Sequence, residues 1–239
     1  MAHLAHYREA HPLVFVVTHW INLIAMILLI LTGFIIHYPF IAGIMGVCRG
    51  VHIFAGFVLF INCVFRVVAA FFVKTAPTGG TRKQVPDYKT WLPQKDNRHQ
   101  ALEWIKYYLF LKKDHPLGAK LGVPQKISYL LIPILIIIMF WTGLCLWGET
   151  MNLPLMAWTI NLVGGAMSVR IIHYYFMFVF IIFMFIHVYL ANVESIAPTK
   201  LMFIRKEHGG LVYDPDIHNL VGSDLDDKFE DEELDEAAE

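Results

Sequence analysis

Residues Arg170–Asn192 read RIIHYYFMFVFIIFMFIHVYLAN, a strongly apolar run that places His173 and His187 fourteen residues apart. At about 100° and 1.5 Å per residue of α-helix, fourteen steps bring the second imidazole to within about 40° of the first and about 21 Å further along the axis. The two histidines share one helix face, near opposite sides of a hydrocarbon layer about 30 Å thick. An ionisable side chain at that depth is costly, so it is a functional candidate by default.

Composition extends the membrane reading to the whole chain. Of 239 residues, 57% are hydrophobic and 16% charged, and the apolar residues fall in long blocks, which excludes an ordinary soluble enzyme. Blocks at 13–36, 51–73, 127–147 and 171–191 each reach the roughly 20 residues that cross a bilayer. The expected fold is an all-α membrane protein, a bundle of four transmembrane helices forming a single domain over 1–199, followed by a tail over 200–239.

Basic residues set the orientation. The segment Lys74–Lys126 holds eleven Lys and Arg, whereas the other two connections hold only Arg49 and Arg170; Lys200, Arg205, Lys206 and Lys228 follow the last block. By the positive-inside rule the 74–126 loop and both termini are cytoplasmic, in a multi-pass membrane protein. The first apolar run continues into a spanning pattern without a cleavage site, so it is read as its own insertion signal.

Within the basic loop, APTGGTRKQVPDYKTWLPQKD reads as irregular chain, and HQALEWIKYYLFLKKDHPLG as an interfacial helix resting on lipid headgroups. Residues Asp214–Glu239 hold twelve acidic side chains and one Lys, the composition of a largely disordered, solvated tail. Cys48, Cys63 and Cys145 form no C-x-x-C or C-x-x-C-H, which excludes a zinc knuckle or a thioether-linked haem and leaves packing as their role.

Four histidines sort by depth. With the amino end inside, His19 in FVVTHWINL lies toward the cytoplasm and His52 in RGVHIFAGF toward the outside; in the last block His173 is outer and His187 inner. The depths pair His52 with His173 and His19 with His187. Imidazole is a common axial ligand of haem iron, and two such ligands leave no position for oxygen or substrate. Two non-covalent b haems stacked across the bilayer fit the pattern, with no nucleic-acid partner. His37, His115, His208 and His218 fall in or beside aqueous regions and are left out, and His3, His6 and His11 read as a polar terminus.

Arg49 precedes His52 by three residues and Arg170 precedes His173 by three. Each guanidinium is thus one turn outward of a candidate ligand, placed to hold a haem propionate or to anchor a helix end. Arg66, fourteen residues after His52, either meets an inner propionate or snorkels to the surface. Gly33, Gly56, Gly143, Gly164 and Gly165 make room for a macrocycle or for close helix packing.

RIIHYYFMFVFIIFMFIHVYLANVES, with THWINLIAMILLILTGF and RGVHIFAGFVLFINCVFRV, resembles the b-type cytochrome subunit of membrane-bound nickel–iron hydrogenases and the related gamma subunit of respiratory formate dehydrogenases. The resemblance covers all four blocks, and R-x-x-H, thirteen residues, then H-x-Y is its most specific part. It implies two haems on the four histidines above, an iron–sulfur subunit and catalytic subunit of hydrogenase or formate dehydrogenase type, and quinone chemistry (menaquinone or ubiquinone) near the inner haem. Gln125 and Lys126 in GVPQKISYL resemble the gamma-subunit segment near its quinone site, and Glu194, seven residues beyond His187, is a second candidate for proton delivery. Capping and interface anchoring are the plainer roles for all three. The long basic loop and the acidic tail lie outside the pattern.

The resulting expectation is electron transfer between the iron–sulfur partner and the membrane quinone pool, in a direction set by reduction potentials. A self-contained four-helix cytochrome b quinone oxidoreductase of superoxide-oxidase type is the alternative. A transporter or scaffold without haem stands further off.

Overall fold

The computed structural model describes residues 11–41, 43–75, 85–92, 101–112, 123–192, 197–204, 211–214 and 219–222. In chain order these form α1 (Leu13–His37), α2 (Met45–Phe72), β1 (Lys74–Thr75), β2 (Val85–Pro86), α3 (Tyr88–Trp91), α4 (Ala101–Tyr108), α5 (Val123–Leu146), α6 (Pro154–Leu162), α7 (Ala166–Asn192), α8 (Ala197–Ile204), β3 (Leu211–Asp214) and β4 (Asn219–Gly222). The chain divides into two compact units, Leu13–Phe72 with Ile127–Ile186, and Met1–Pro12 with Val73–Lys126 and His187–Glu239.

The first unit is built from the apolar blocks. α1, α2, Gln125–Leu146 of α5, and α7 are each long and apolar enough to cross a membrane. Ile24, Leu31, Phe54, Phe65, Ile134 and Ile182 stand exposed on them, as surfaces facing lipid should, while backbone polar groups pair inside each helix. Between lipid-like surfaces there is little hydrophobic force, so association rests on close packing and interhelical hydrogen bonds. All four long helices contribute to the core: Ala25 from α1, Leu59 and Cys63 from α2, Leu135 and Ile136 from α5, and Phe180 from α7. On α2, buried Asn62 donates through Nδ2 to the Thr18 carbonyl at 2.7 Å and to Asn22 Oδ1 at 2.6 Å, joining α1 to α2.

Three helices begin before the apolar blocks do. α2 starts at Met45, α5 at Val123 and α7 at Ala166, because a helix continues through the headgroup layer after its hydrocarbon stretch has ended. Arg49 and Arg170 are therefore helical residues. α6 was not anticipated: Pro154 opens it and a Schellman-type turn closes it, with Gly165 N–H donating to Ile160 O at 2.8 Å and Gly164 at φ 89°. Gly164 and Gly165 are turn residues. A second core cluster, Cys145, Met156 and Val169, packs α6 against α5 and α7.

The second unit carries more regular structure than a loop and a bare tail. β1 pairs antiparallel with β2, Lys74 opposite Pro86 and Thr75 opposite Val85. The fully buried Asp87 carboxylate accepts from Thr75 Oγ1 at 2.9 Å and Trp91 Nε1 at 3.1 Å, so part of the stretch expected to be irregular is pinned by a charge-assisted network. α4 falls within the expected interfacial helix, with Trp104 and Tyr108 buried and Leu102, Ile105 and Leu109 on an exposed stripe. The Tyr189 hydroxyl donates to Tyr108 O at 3.0 Å. Beyond residue 199, α8 continues to Ile204 and β3 pairs with β4 over Leu211–Asp214 and Asn219–Gly222; residues 223–239 lie outside the described residues.

Candidate functional site

Two of the four predicted histidines meet. His52 on α2 and His173 on α7 have ring centroids 6.2 Å apart at an interplanar angle of 60°. Their Nδ1 atoms are each engaged by a threonine of a third and a fourth helix: Thr32 Oγ1 of α1 lies 2.9 Å from His52 Nδ1, and Thr142 Oγ1 of α5 lies 2.8 Å from His173 Nδ1. With Nδ1 occupied, Nε2 is the nitrogen each ring offers to a ligand. A metal bonded to both at about 2 Å, a usual metal–imidazole length, with each centroid roughly 1 Å behind its nitrogen, requires centroids about 6 Å apart. The two rings stand at that spacing.

The glycines divide into two classes. A Cβ added at Gly33 would meet His52 Cε1 at 3.4 Å and Met177 Sδ at 3.7 Å, and one at Gly143 would meet His173 Cε1 at 3.5 Å. Both positions keep the helix backbone bare beside the rings, a cradle that a flat macrocycle can use. Gly56 instead faces Leu29 Cδ2 at 4.0 Å and serves helix packing.

Arg49 and Arg170 are exposed, each one helical turn from its histidine. Arg66 is half-buried, and its guanidinium lies over the Phe15 ring, 3.6 Å from the centroid, with the Tyr129 centroid at 5.7 Å, a cation–π arrangement. His19 is half-buried and meets Trp20 edge to face at 6.3 Å; the preceding Thr18 carbonyl is the one held by Asn62. His187 is helical and exposed. His19 and His187 belong to different units.

Lys126 is buried, and its Nζ donates to Leu92 O at 3.1 Å, so it ties the start of α5 to the segment around Asp87. Gln125 is half-buried in the first turn of the same helix. Glu194 lies outside the described residues, as do His3, His6, His115, His208 and His218. His37 stacks on Tyr174 at 4.0 Å and 12°.

Thr32 and Thr142 were not read from the sequence, although a signal was present. Thr-Gly occurs at 32–33 in LTGF and at 142–143 in WTGL, each on the first helix of a pair whose second helix carries R-x-x-H.

The sequence matches the family model described as prokaryotic cytochrome b561 over residues 10–203. It is similar to a "Probable Ni/Fe-hydrogenase B-type cytochrome subunit" of Azotobacter chroococcum mcd 1, 30% identical over 203 residues that span 74% of this chain and 77% of the relative. A protein of the same name from Azotobacter vinelandii is 29% identical with the same coverage. One from Bradyrhizobium diazoefficiens is 24% identical over 75% of this chain and 76% of its own length.

Proposed function

Because the chain belongs to the prokaryotic cytochrome b561 family, we propose that it is the membrane-embedded b-type cytochrome subunit of a hydrogenase-type complex. It carries electrons between an iron–sulfur partner and the quinone pool. The observation that carries this reading is the His52–His173 pair, presented by two membrane-capable helices with centroids 6.2 Å apart. Relatives named as nickel–iron hydrogenase cytochrome subunits favour a hydrogenase over a formate dehydrogenase as the partner.

Haem b supplies one-electron chemistry at its iron. The residues do the rest. His52 and His173 would hold an outer haem through their Nε2 atoms, leaving its iron to carry electrons rather than bind oxygen or substrate. His19 and His187, paired by their positions in the sequence, are proposed to do the same for an inner haem. Arg49 and Arg170, exposed one turn outward, are placed to meet propionate carboxylates. Arg66, held against Phe15, contributes a positive charge at the depth of His19. Gln125, Lys126 and Glu194 are proposed to line the quinone-reactive end, where an amide, an ammonium or a carboxyl hydrogen-bonds a carbonyl or moves a proton.

A reduced-minus-oxidised spectrum with a pyridine haemochrome count on the purified protein tests the reading, with about two b haems per chain expected. His52→Ala and His173→Ala should each remove one haem and leave the other. Well-folded protein without haem would sink the proposal, and unchanged haem content in both variants would sink the outer pair.

A further inference from the structure

The surroundings of the His52–His173 pair form a clamp of two equivalent halves. Thr32 and Gly33 of α1 serve His52, and Thr142 and Gly143 of α5 serve His173. Each threonine also bonds back along its own helix: Thr32 Oγ1 donates to Leu28 O at 2.6 Å, and Thr142 Oγ1 to Ile138 O at 2.8 Å. A hydroxyl has one hydrogen, and a carbonyl can only accept it. With that hydrogen committed, the hydroxyl oxygen meets Nδ1 as an acceptor, so Nδ1 carries the hydrogen.

Back-bonding of this kind is an ordinary habit of threonine in apolar helices. What it does here is less ordinary. The β-branched side chain has few χ1 wells in a helix, and the back-bond selects between them. The oxygen is thereby fixed in space, and each imidazole is fixed against it. The same offset recurs at both rings, on two different helix pairs.

We infer that Thr32 and Thr142 are positioning residues that fix the tautomer and rotation of the two axial imidazoles and, through them, the reduction potential of the outer haem. This rests on the reading of His52 and His173 as its ligands. A hydrogen bond donated from Nδ1 raises the basicity of the opposite nitrogen and so favours ferric over ferrous iron. Removing it moves the potential upward.

The experiment uses the full-length protein with its haems in place, and the isosteric variants Thr32→Val, Thr142→Val and their combination, with Thr32→Ser and Thr142→Ser as rescues. Loss of such an outer-shell partner costs about 10–100-fold in metal affinity. The midpoint potential of the outer haem should rise, a tenfold bias toward the ferrous form being 59 mV for one electron. Its low-spin electron paramagnetic resonance g values should shift as the rings turn, the inner haem should not change, and serine should restore the native values.

Valine variants with native potential and g values would overturn the inference, as would serine variants that behave like valine. One readout needs no variant: pulsed electron resonance of the native protein should find an exchangeable proton on the remote nitrogen of each axial ring, and its absence would also overturn the inference. Native protein without haem would instead remove the ligand assignment beneath it.

Discussion

At the scale of single residues, the glycines separate room for a cofactor from room for a neighbouring helix. The imidazole carbon that faces Gly33 or Gly143 is Cε1, the carbon between the two ring nitrogens, so a longer side chain at either position crowds the ring and the space beside it. Contacts of 3.4 and 3.5 Å with a single Cβ are ordinary, and alanine should be tolerated by the fold. We expect Gly33→Leu and Gly143→Leu to lower outer-haem occupancy severely while the protein still purifies with native helix content. Gly56→Ala, facing Leu29, should leave occupancy unchanged. Haem-to-protein ratios and circular dichroism on the three variants check this; equal haem loss from Gly56→Ala would return all three glycines to a packing role. The histidines were legible in the sequence because each is an ionisable group in an apolar block at a calculable depth. The threonines were not, since a lone hydroxyl in a spanning helix satisfies itself on the carbonyl four residues back, and only the pairing of α1 with α2 and α5 with α7 shows the second use.

At the scale of elements, Asn62 shows how two apolar helices find a register without a hydrophobic gradient between them. Its amide holds the Thr18 carbonyl and Asn22 Oδ1, and Thr18 precedes His19, so the joint between α1 and α2 lies beside a proposed inner ligand. Interhelical hydrogen bonds in membranes contribute about 0.6–2 kcal/mol, and Asn62→Leu should destabilise the protein by that order in a denaturation series in detergent. Inner-haem content should fall before outer-haem content does. Unaltered stability together with unaltered haem binding would show that the bond is incidental. The element pattern was legible where bilayer thickness dictates length, as in α1 and the carboxyl end of α7. It was not where a helix runs on past the hydrocarbon, as at Met45–Arg49 and Ala166–Arg170, nor in α6, whose uncharged stretch begins with a proline and ends in two glycines. The Asp87 network was equally hidden, because it joins residues twelve apart that no local pattern connects.

At the scale of the whole molecule, charge decides which way the chain faces. Eleven basic residues lie in Lys74–Lys126, against Arg49 and Arg170 in the other connections, and the cost of translocating Lys and Arg orients the spans around that difference. We propose on that ground that the 74–126 segment faces the cytoplasm and that the R-x-x-H ends of α2 and α7 face outward. On that proposal the His52–His173 pair would be the end that an external iron–sulfur partner reaches. Cysteine scanning tests it directly, since the native Cys48, Cys63 and Cys145 are buried. Asn152→Cys should react with a membrane-impermeant maleimide in intact cells, and Lys228→Cys only after permeabilisation. The reverse pattern would place the outer pair in the cytoplasm and require the partner to dock there, leaving the clamp between α2 and α7 as it is but exchanging which haem receives electrons from the partner and which serves the quinone.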